Sequence, residues 1–504
     1  MFAEHLVGNH GVHGLGDHDP GAAVDAVEEP LVDPEPGGPQ AVEERGRPAE
    51  RQPGGSARFV ERAVDQDDLR HVEESATRTA CPPAGRRYAP GVSGAPPSGS
   101  PVDDWATDFD HTTEAWAQDA PGIWRELRSS CPVAHSDRFG GTWLPTRHAD
   151  VAAIAHDTEH FTSRSVIVSD FRPEAPAPIG FAPPITSDPP FHEFARRLLL
   201  PAFSPKAIAP LEGPTREFCG SLLDGMLTGT GTGNGDGDVV DAATEYAQHI
   251  PVRVIAHLLG VPESDGDRFR TFIHRILERP GQVATVDPED LLTTYLLRAV
   301  EEHRAEPRDD LISYLLDLEV DGVPLGDEHV IGTIALLLIA GIDTTWSAIG
   351  ASIWHLARHP EDHRRLREEP ELIPFAVEEF LRLYAPVTMA RIVSADTEIG
   401  GCPASAGDWV LLSFPAANRD PEAFDDPETF VVDRQRNRHA AFGLGIHRCL
   451  GSNLARLELR VAVEEWVRRV PEFELADPDA VRWSTGQVRG PRTLPVRLKG
   501  AAAS

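Results

Sequence analysis

From about residue 102 onward, apolar residues recur at helical spacing through much of the chain. The segments DVAAIAHD (150–157), FHEFARRLLLPAF (191–203) and IPFAVEEFLRLY (373–384) place apolar side chains three and four positions apart. Each therefore predicts an amphipathic helix with one buried stripe. Leu450, Leu454, Leu457 and Val461 form the same stripe just after Cys449. The longest pattern, HVIGTIALLLIAGIDTTWSAIGASIWHLARH (329–359), predicts a single helix through the core. Its uninterrupted apolar run is about twelve residues and stops at Asp343, short of the roughly 20 that a membrane crossing needs. Strand patterns are few and short. TEIGGCPASAGDWVLLSF (397–414) predicts a hairpin turning at Gly400–Gly401. The expected fold class is mainly α with small β-sheets.

Composition divides the chain. Pro and Gly make up roughly a quarter of residues 1–101, as in EEPLVDPEPGGPQ, with little apolar periodicity. Such a segment buries too little surface to offset its ordering entropy, so it is expected to be a disordered extension. Residues 102–498 are expected to form one domain and 499–504 a short tail. The Gly-rich stretch GTGTGNGDGD (229–238) lacks the lysine of a phosphate loop and reads as a linker between helices. A formal net charge of −33 argues against nucleic-acid binding, which needs a basic footprint. The five cysteines (81, 131, 219, 402 and 449) are scattered and form no C-x-x-C pair. Neither a disulfide framework nor a zinc site is indicated, and a reducing, cytoplasmic setting is expected.

One stretch carries candidate chemistry: FGLGIHRCLG, residues 442–451. Only a thiolate is a good ligand or nucleophile, and Cys449 sits just before a helix whose free N–H groups and dipole favour an anion. The glycines let backbone amides turn toward the sulfur, and His447 and Arg448 add donors. The spacing excludes a dinucleotide fingerprint, because Arg448 stands where a third glycine is needed. A structural cysteine beside a tight turn fits these residues as well. So, in principle, does a nucleophile.

The stretch resembles the haem-binding loop of cytochromes P450, F-G-x-G-x-H-x-C-x-G, at Phe442, Gly443, Gly445, His447, Cys449 and Gly451. The resemblance implies a P450 fold, haem b as cofactor and Cys449 as the iron ligand. AGIDTT (340–345) is similar to the family's distal helix: Ala340 and Gly341 leave room beside it, and Asp343 and Thr344 match the acid–alcohol pair that relays protons. Glu379, Arg382 and Arg434 match a structural ion network. DPPFHEFARRLL (188–199) nominates His192 and Arg196, and Arg391 and His447 join them as partners for the haem carboxylates.

The implied activity is hydroxylation of a small hydrophobic molecule with O2, by a monomer free of nucleic acid and membrane. Its electrons would come from a separate ferredoxin and ferredoxin reductase. Arg434, Arg436, Arg438, Arg448, Arg456 and Arg460 form the basic cluster expected to dock that carrier. The expected substrate linings are residues 167–187, Leu338 to Ala340, Val387 to Ala390 and the 484–488 turn, with Asp170, Arg172 and Glu174 as polar exceptions. The rival readings are a peroxygenase or carbon–carbon coupling enzyme, and a haem sensor without turnover.

Overall fold

A computed structural model describes residues 98–168, 182–228, 239–278, 291–320 and 322–499. The expectations for residues 1–97, for the linker at 229–238, and for Asp170, Arg172 and Glu174 lie outside the described residues.

The axis of the fold is the helix Asp327–Arg358. Asp327 and Glu328 open it and His355 and Arg358 close it, matching the macrodipole at both ends. It stops before Pro360, where the residue preceding a proline resists the helical conformation. Helices His249–Leu259, Leu292–Ala305 and Ser452–Arg469 pack around it. Gly341 is needed for this approach, since a Cβ there would lie 2.4 Å from Ile255 Cδ1. In length and composition the helix would also suit a membrane crossing, but 67% of that window is buried inside the protein. It is a core helix. The helices predicted around residues 150–157, 191–203 and 373–384 appear as His148–His156, Phe191–Leu199 and Ile373–Leu383.

The sheets are small. Thr142–Pro145 pairs antiparallel with Val133–Ser136 and parallel with Trp409–Leu412, which pairs in turn with Met389–Val393 and through it with Phe161–Thr162. Gly400 and Gly401, at φ 56° and 85°, turn the predicted hairpin between Thr397–Ile399 and Cys402–Ala404. Its continuation at 409–412 joins the larger sheet instead.

Arg138, 1% exposed, donates to the Ser100 and Pro101 carbonyls while pairing with Asp108 and Asp110, so the folded unit includes residues ahead of 102. At the other end Lys499 completes the strand Pro495–Lys499. Cys131, Cys219 and Cys449 are free, but Cys402 is disulfide-bonded.

Candidate active site

The loop carrying Cys449 is held by its own backbone. The Cys449 N–H donates to the Phe442 carbonyl at 2.7 Å, Gly443 N–H to Ala440 at 2.9 Å, and Arg448 N–H to Gly445 at 3.1 Å. Gly443 and Gly445 take φ of 73° and 68°, where a side chain is strained. Gly445 is also pressed close: a Cβ would come within 2.1 Å of the Ala155 carbonyl oxygen.

Two carboxylates fasten this loop to the helix Ile373–Leu383. Glu378 accepts from Arg456 at 2.7 and 2.8 Å and from His439 at 3.0 Å. Burial acts to raise Glu378, but Arg456 and His439 outweigh it and hold the carboxyl at about 2. Arg456 also lies over the Phe442 ring, 4.4 Å from its centroid. Glu379 and Arg382, both wholly buried, meet at 2.7 Å, and Arg434 reaches Glu379 at 3.0 Å.

Solvent reaches the Cys449 side chain, yet burial is the largest influence on its thiol and pushes it up. The Gly451 N–H, Arg196, Arg456 and Arg448 act in the opposite direction. The lowering expected at the helix start is therefore present but outweighed. A bound metal cation would supply the charge that the fold alone does not.

His447 belongs to a basic cluster. Its ring lies 4.3 Å from that of His192. Burial first, and then Arg391, His192 and Arg196, push His447 down to about 2. Burial likewise lowers Arg391 to about 10, and its Nη1 donates to the Ala390 carbonyl. Both ring nitrogens of His192 and Nε2 of His447 are buried without a hydrogen-bond partner. Asp188 acts on Arg391, but its carboxylate is already engaged by the Ser163 N–H at 2.8 Å and by the Thr162 hydroxyl. Four basic side chains thus converge with more donors than acceptors. A porphyrin bearing two carboxylates fits such a cluster, and a thiolate beside it fits the iron.

A second accessible surface runs along the central helix. Ala340 is exposed although most of the helix is buried, and Leu336, Ile339, Gly341 and Thr344 are partly so. The Thr344 hydroxyl donates to the Ala340 carbonyl at 2.8 Å. Leu338, expected with Ala340, is instead fully buried in the apolar core, because two helical residues are about 200° apart around the axis. The expected linings at 387–390 and 484–488 meet each other and Val166, just ahead of the expected 167–187 loop, of which 169–181 lie outside the described residues. Val166 O accepts from Ala390 N–H at 2.9 Å and from Gln487 Nε2 at 2.6 Å, and Thr388 N–H donates to Gln487 O at 3.0 Å.

Asp343 is wholly buried and turned away from solvent. Burial pushes it up to about 6 against the pull of Arg492, which lies 2.7 Å away. Arg492 had no signal in the sequence: it comes from RGPRTLPVRL, far down the chain and outside any motif.

A cysteine loop, a basic cluster short of anions and an accessible strip on a core helix together define a haem-thiolate protein. The cytochrome P450 family profile matches residues 282–480. Cytochrome P450 107B1 of Saccharopolyspora erythraea is 33% identical over 398 residues, covering 76% of this chain and 96% of that protein. The mycinamicin IV hydroxylase/epoxidase of Micromonospora griseorubida is 35% identical, covering 74% and 94%. The crystal structure of CYP109E1 from Bacillus megaterium in complex with testosterone superposes with a TM-score of 0.68 at 31% identity, over 77% of this chain and all of that one. The chain belongs to the cytochrome P450 family, as a bacterial-type monooxygenase with its fold.

Proposed function

We propose that this P450 hydroxylates a neutral hydrophobic organic molecule with one atom of O2. It would use haem b and electrons from a separate ferredoxin served by a ferredoxin reductase. The observation that carries this reading is an exposed cysteine, Cys449, beside Arg196, whose cluster with His192, Arg391 and His447 leaves both His192 ring nitrogens and His447 Nε2 buried without a hydrogen-bond partner. Cys449 would ligate the iron. His192, Arg196, Arg391 and His447 would hold the two carboxylates, and Phe442 and Gly443 would pack beside the ring. Bound in this way, haem supplies the reductive activation of O2 and the oxidation of a C–H bond.

The chain's own residues supply position and protons. The Thr344 hydroxyl proton is committed to the Ala340 carbonyl, so its oxygen is left to accept a hydrogen bond from the cleft. Ala340, one turn before it, keeps the helix surface low beside it. Asp343, held at about 6, exchanges a proton close to neutral pH. Partly exposed Val387, Met389 and Ile339 present an apolar lining, which suits a neutral carbon-rich substrate. The testosterone bound to the Bacillus megaterium relative is a molecule of that kind.

Of the six arginines expected to dock the electron carrier, three have other work. Arg434 pairs with Glu379, Arg456 with Glu378, and Arg460 with Glu212. Arg436, Arg438 and Arg448 are exposed and, among the described residues, pair with no carboxylate. They are the docking residues we assign for an acidic ferredoxin.

The test is isotopic. Hydrophobes that shift the haem from low to high spin are supplied with ferredoxin, its reductase and 18O2. A product carrying one 18O atom supports the reading. Product formed from hydrogen peroxide alone, with no label from 18O2, supports the peroxygenase instead.

A further inference from the structure

The central helix closes on two histidines one turn apart, His355 and His359 in HLARHPED, and Asp362 follows in the first turn of the helix Pro360–Glu368. One nitrogen of each ring and one carboxylate oxygen of Asp362 all lie within 4.8 Å of one another. The two rings stack with centroids 4.4 Å apart and planes at 22°. His355 Nε2 lies 3.0 Å from Asp362 Oδ2. Neighbouring ligands of one metal, with bonds of about 2.1 Å, stand about 3.0 to 3.4 Å apart. That pair already has the spacing of a coordination shell. Pro360 produces the arrangement: it ends the central helix at His359, and the helix that starts there brings Asp362 back beside His355.

The surroundings suit a cation. Burial holds His355 below the usual imidazole range, so its ring is neutral and has a lone pair to give. Its other nitrogen, Nδ1, meets the Tyr384 hydroxyl at 2.7 Å, the kind of outer partner that orients a ligating histidine. Glu361 lies 3.2 Å from His359 Nδ1 and adds negative charge at the rim. Asp362 pairs with no lysine or arginine among the described residues. The arginines near it are engaged elsewhere, Arg365 by Asp433 and Glu369 and Arg358 over the Trp354 ring. Side-chain exposure rises from 1% at His355 to 23% at Asp362 and 43% at His359, which gives an ion a way in from solvent.

The donor set selects the ion. One carboxylate is too few oxygens for calcium or magnesium, and no thiolate is present to favour a soft metal. Two imidazoles and a carboxylate suit zinc and its borderline neighbours, with water completing the shell. We propose that His355, His359 and Asp362 bind one divalent ion of the zinc class, and that Tyr384 is the positioning residue for His355. His355 follows Thr344 by eleven residues on the same helix, about 16 Å along its axis. The ion therefore stands apart from the haem cleft and acts on the fold. It ties the end of the central helix to the helix that follows and, through Tyr384, to the C-terminal end of Ile373–Leu383.

The test is zinc content. The holoenzyme is stripped with EDTA and equilibrated with zinc ion over a range of concentrations, and zinc per haem iron is measured by elemental analysis. The unaltered protein should take up one more zinc per haem than either His359→Ala or Asp362→Asn. The comparison matters because the histidines at 5, 10, 13 and 18 offer zinc other places, equally in all three proteins. Tyr384→Phe should keep the site and weaken it about tenfold. Zinc should also raise the urea midpoint of the unaltered protein more than that of His359→Ala. Far-UV circular dichroism and the Soret band, unchanged in both ligand variants, separate loss of the site from loss of the fold. Equal zinc uptake by the unaltered protein and both ligand variants means an adventitious ion only, and overturns the site while leaving the monooxygenase reading standing. An unchanged zinc affinity in Tyr384→Phe overturns the role given to Tyr384.

Discussion

Glutamine at position 379 would keep the volume of the side chain and remove one buried charge. Glu379 accepts from Arg382 at 2.8 and 2.7 Å, from Arg434 at 3.0 Å, from Asn437 at 3.1 Å and from the Val431 N–H at 2.9 Å. Every one of these partners is a donor, so the amide nitrogen of glutamine must face at least one of them. Two guanidinium groups would then sit in the interior with no counter-charge. Breaking a buried pair from one side costs about 3–5 kcal/mol. Arg382 keeps its bonds to the Asn418, Pro427 and Thr429 carbonyls, which places the expected loss near the lower end, about 3 kcal/mol. That is a large share of the roughly 5–15 kcal/mol that stabilises a typical domain. Arg434→Gln leaves the inner pair intact and should cost less, about 1.5 kcal/mol for one charged hydrogen bond. The assay is urea unfolding followed by both far-UV circular dichroism and Soret absorbance, comparing midpoints at constant slope. A loss below about 1 kcal/mol for Glu379→Gln, or one smaller than that of Arg434→Gln, would refute the reasoning.

Gly445→Ala should fail to retain haem, because its Cβ collides with the Ala155 carbonyl at a φ of 68°. Gly451→Ala, with nothing nearer than 3.9 Å, should load normally; the ratio of Soret to protein absorbance distinguishes them. Glu378, held at about 2 from an ordinary 4.5, contributes stability that is complete above about pH 4.5 and lost as the pH falls toward 2. Glu378→Gln should therefore flatten the dependence of haem retention on pH across that window, read by the Soret band; an unchanged acid limb would contradict the assignment. Reversing the charge of Arg436 and Arg438 together should slow reduction by ferredoxin and weaken its salt dependence without altering the Soret spectrum; unchanged kinetics would remove the docking surface.

The parts legible in the sequence were those whose physics is local. Glycine at positive φ, a helical apolar stripe and the Gly400–Gly401 turn each leave a mark within a few residues, so the cysteine loop and the central helix stand out in print. The interruption of an apolar helix by Asp343 and Thr344 was visible for the same reason. What the acid pairs with was not. Arg492 reaches it from a distant segment, and no periodicity links an ion pair across such a separation. The facing of Leu338 depends on how neighbouring helices settle around the axis, which places Ala340 in the cleft and Leu338 in the core. The raised thiol of Cys449 was hidden as well, since the burial that outweighs the helix dipole is a property of the assembled fold. The hold of Arg138 on the Ser100 and Pro101 carbonyls was hidden too, because a buried guanidinium gathers backbone acceptors that no local pattern marks.

The account depends on the Cys449 sulfur as the iron ligand, and one spectrum tests it. Holoprotein reduced with dithionite and exposed to carbon monoxide should show the strongly red-shifted Soret band of a thiolate-ligated haem, and Cys449→Ser should lose that band while keeping its fold by circular dichroism. A carbon monoxide spectrum typical of nitrogen ligation in the unaltered protein, or the red-shifted band persisting in Cys449→Ser, would contradict it.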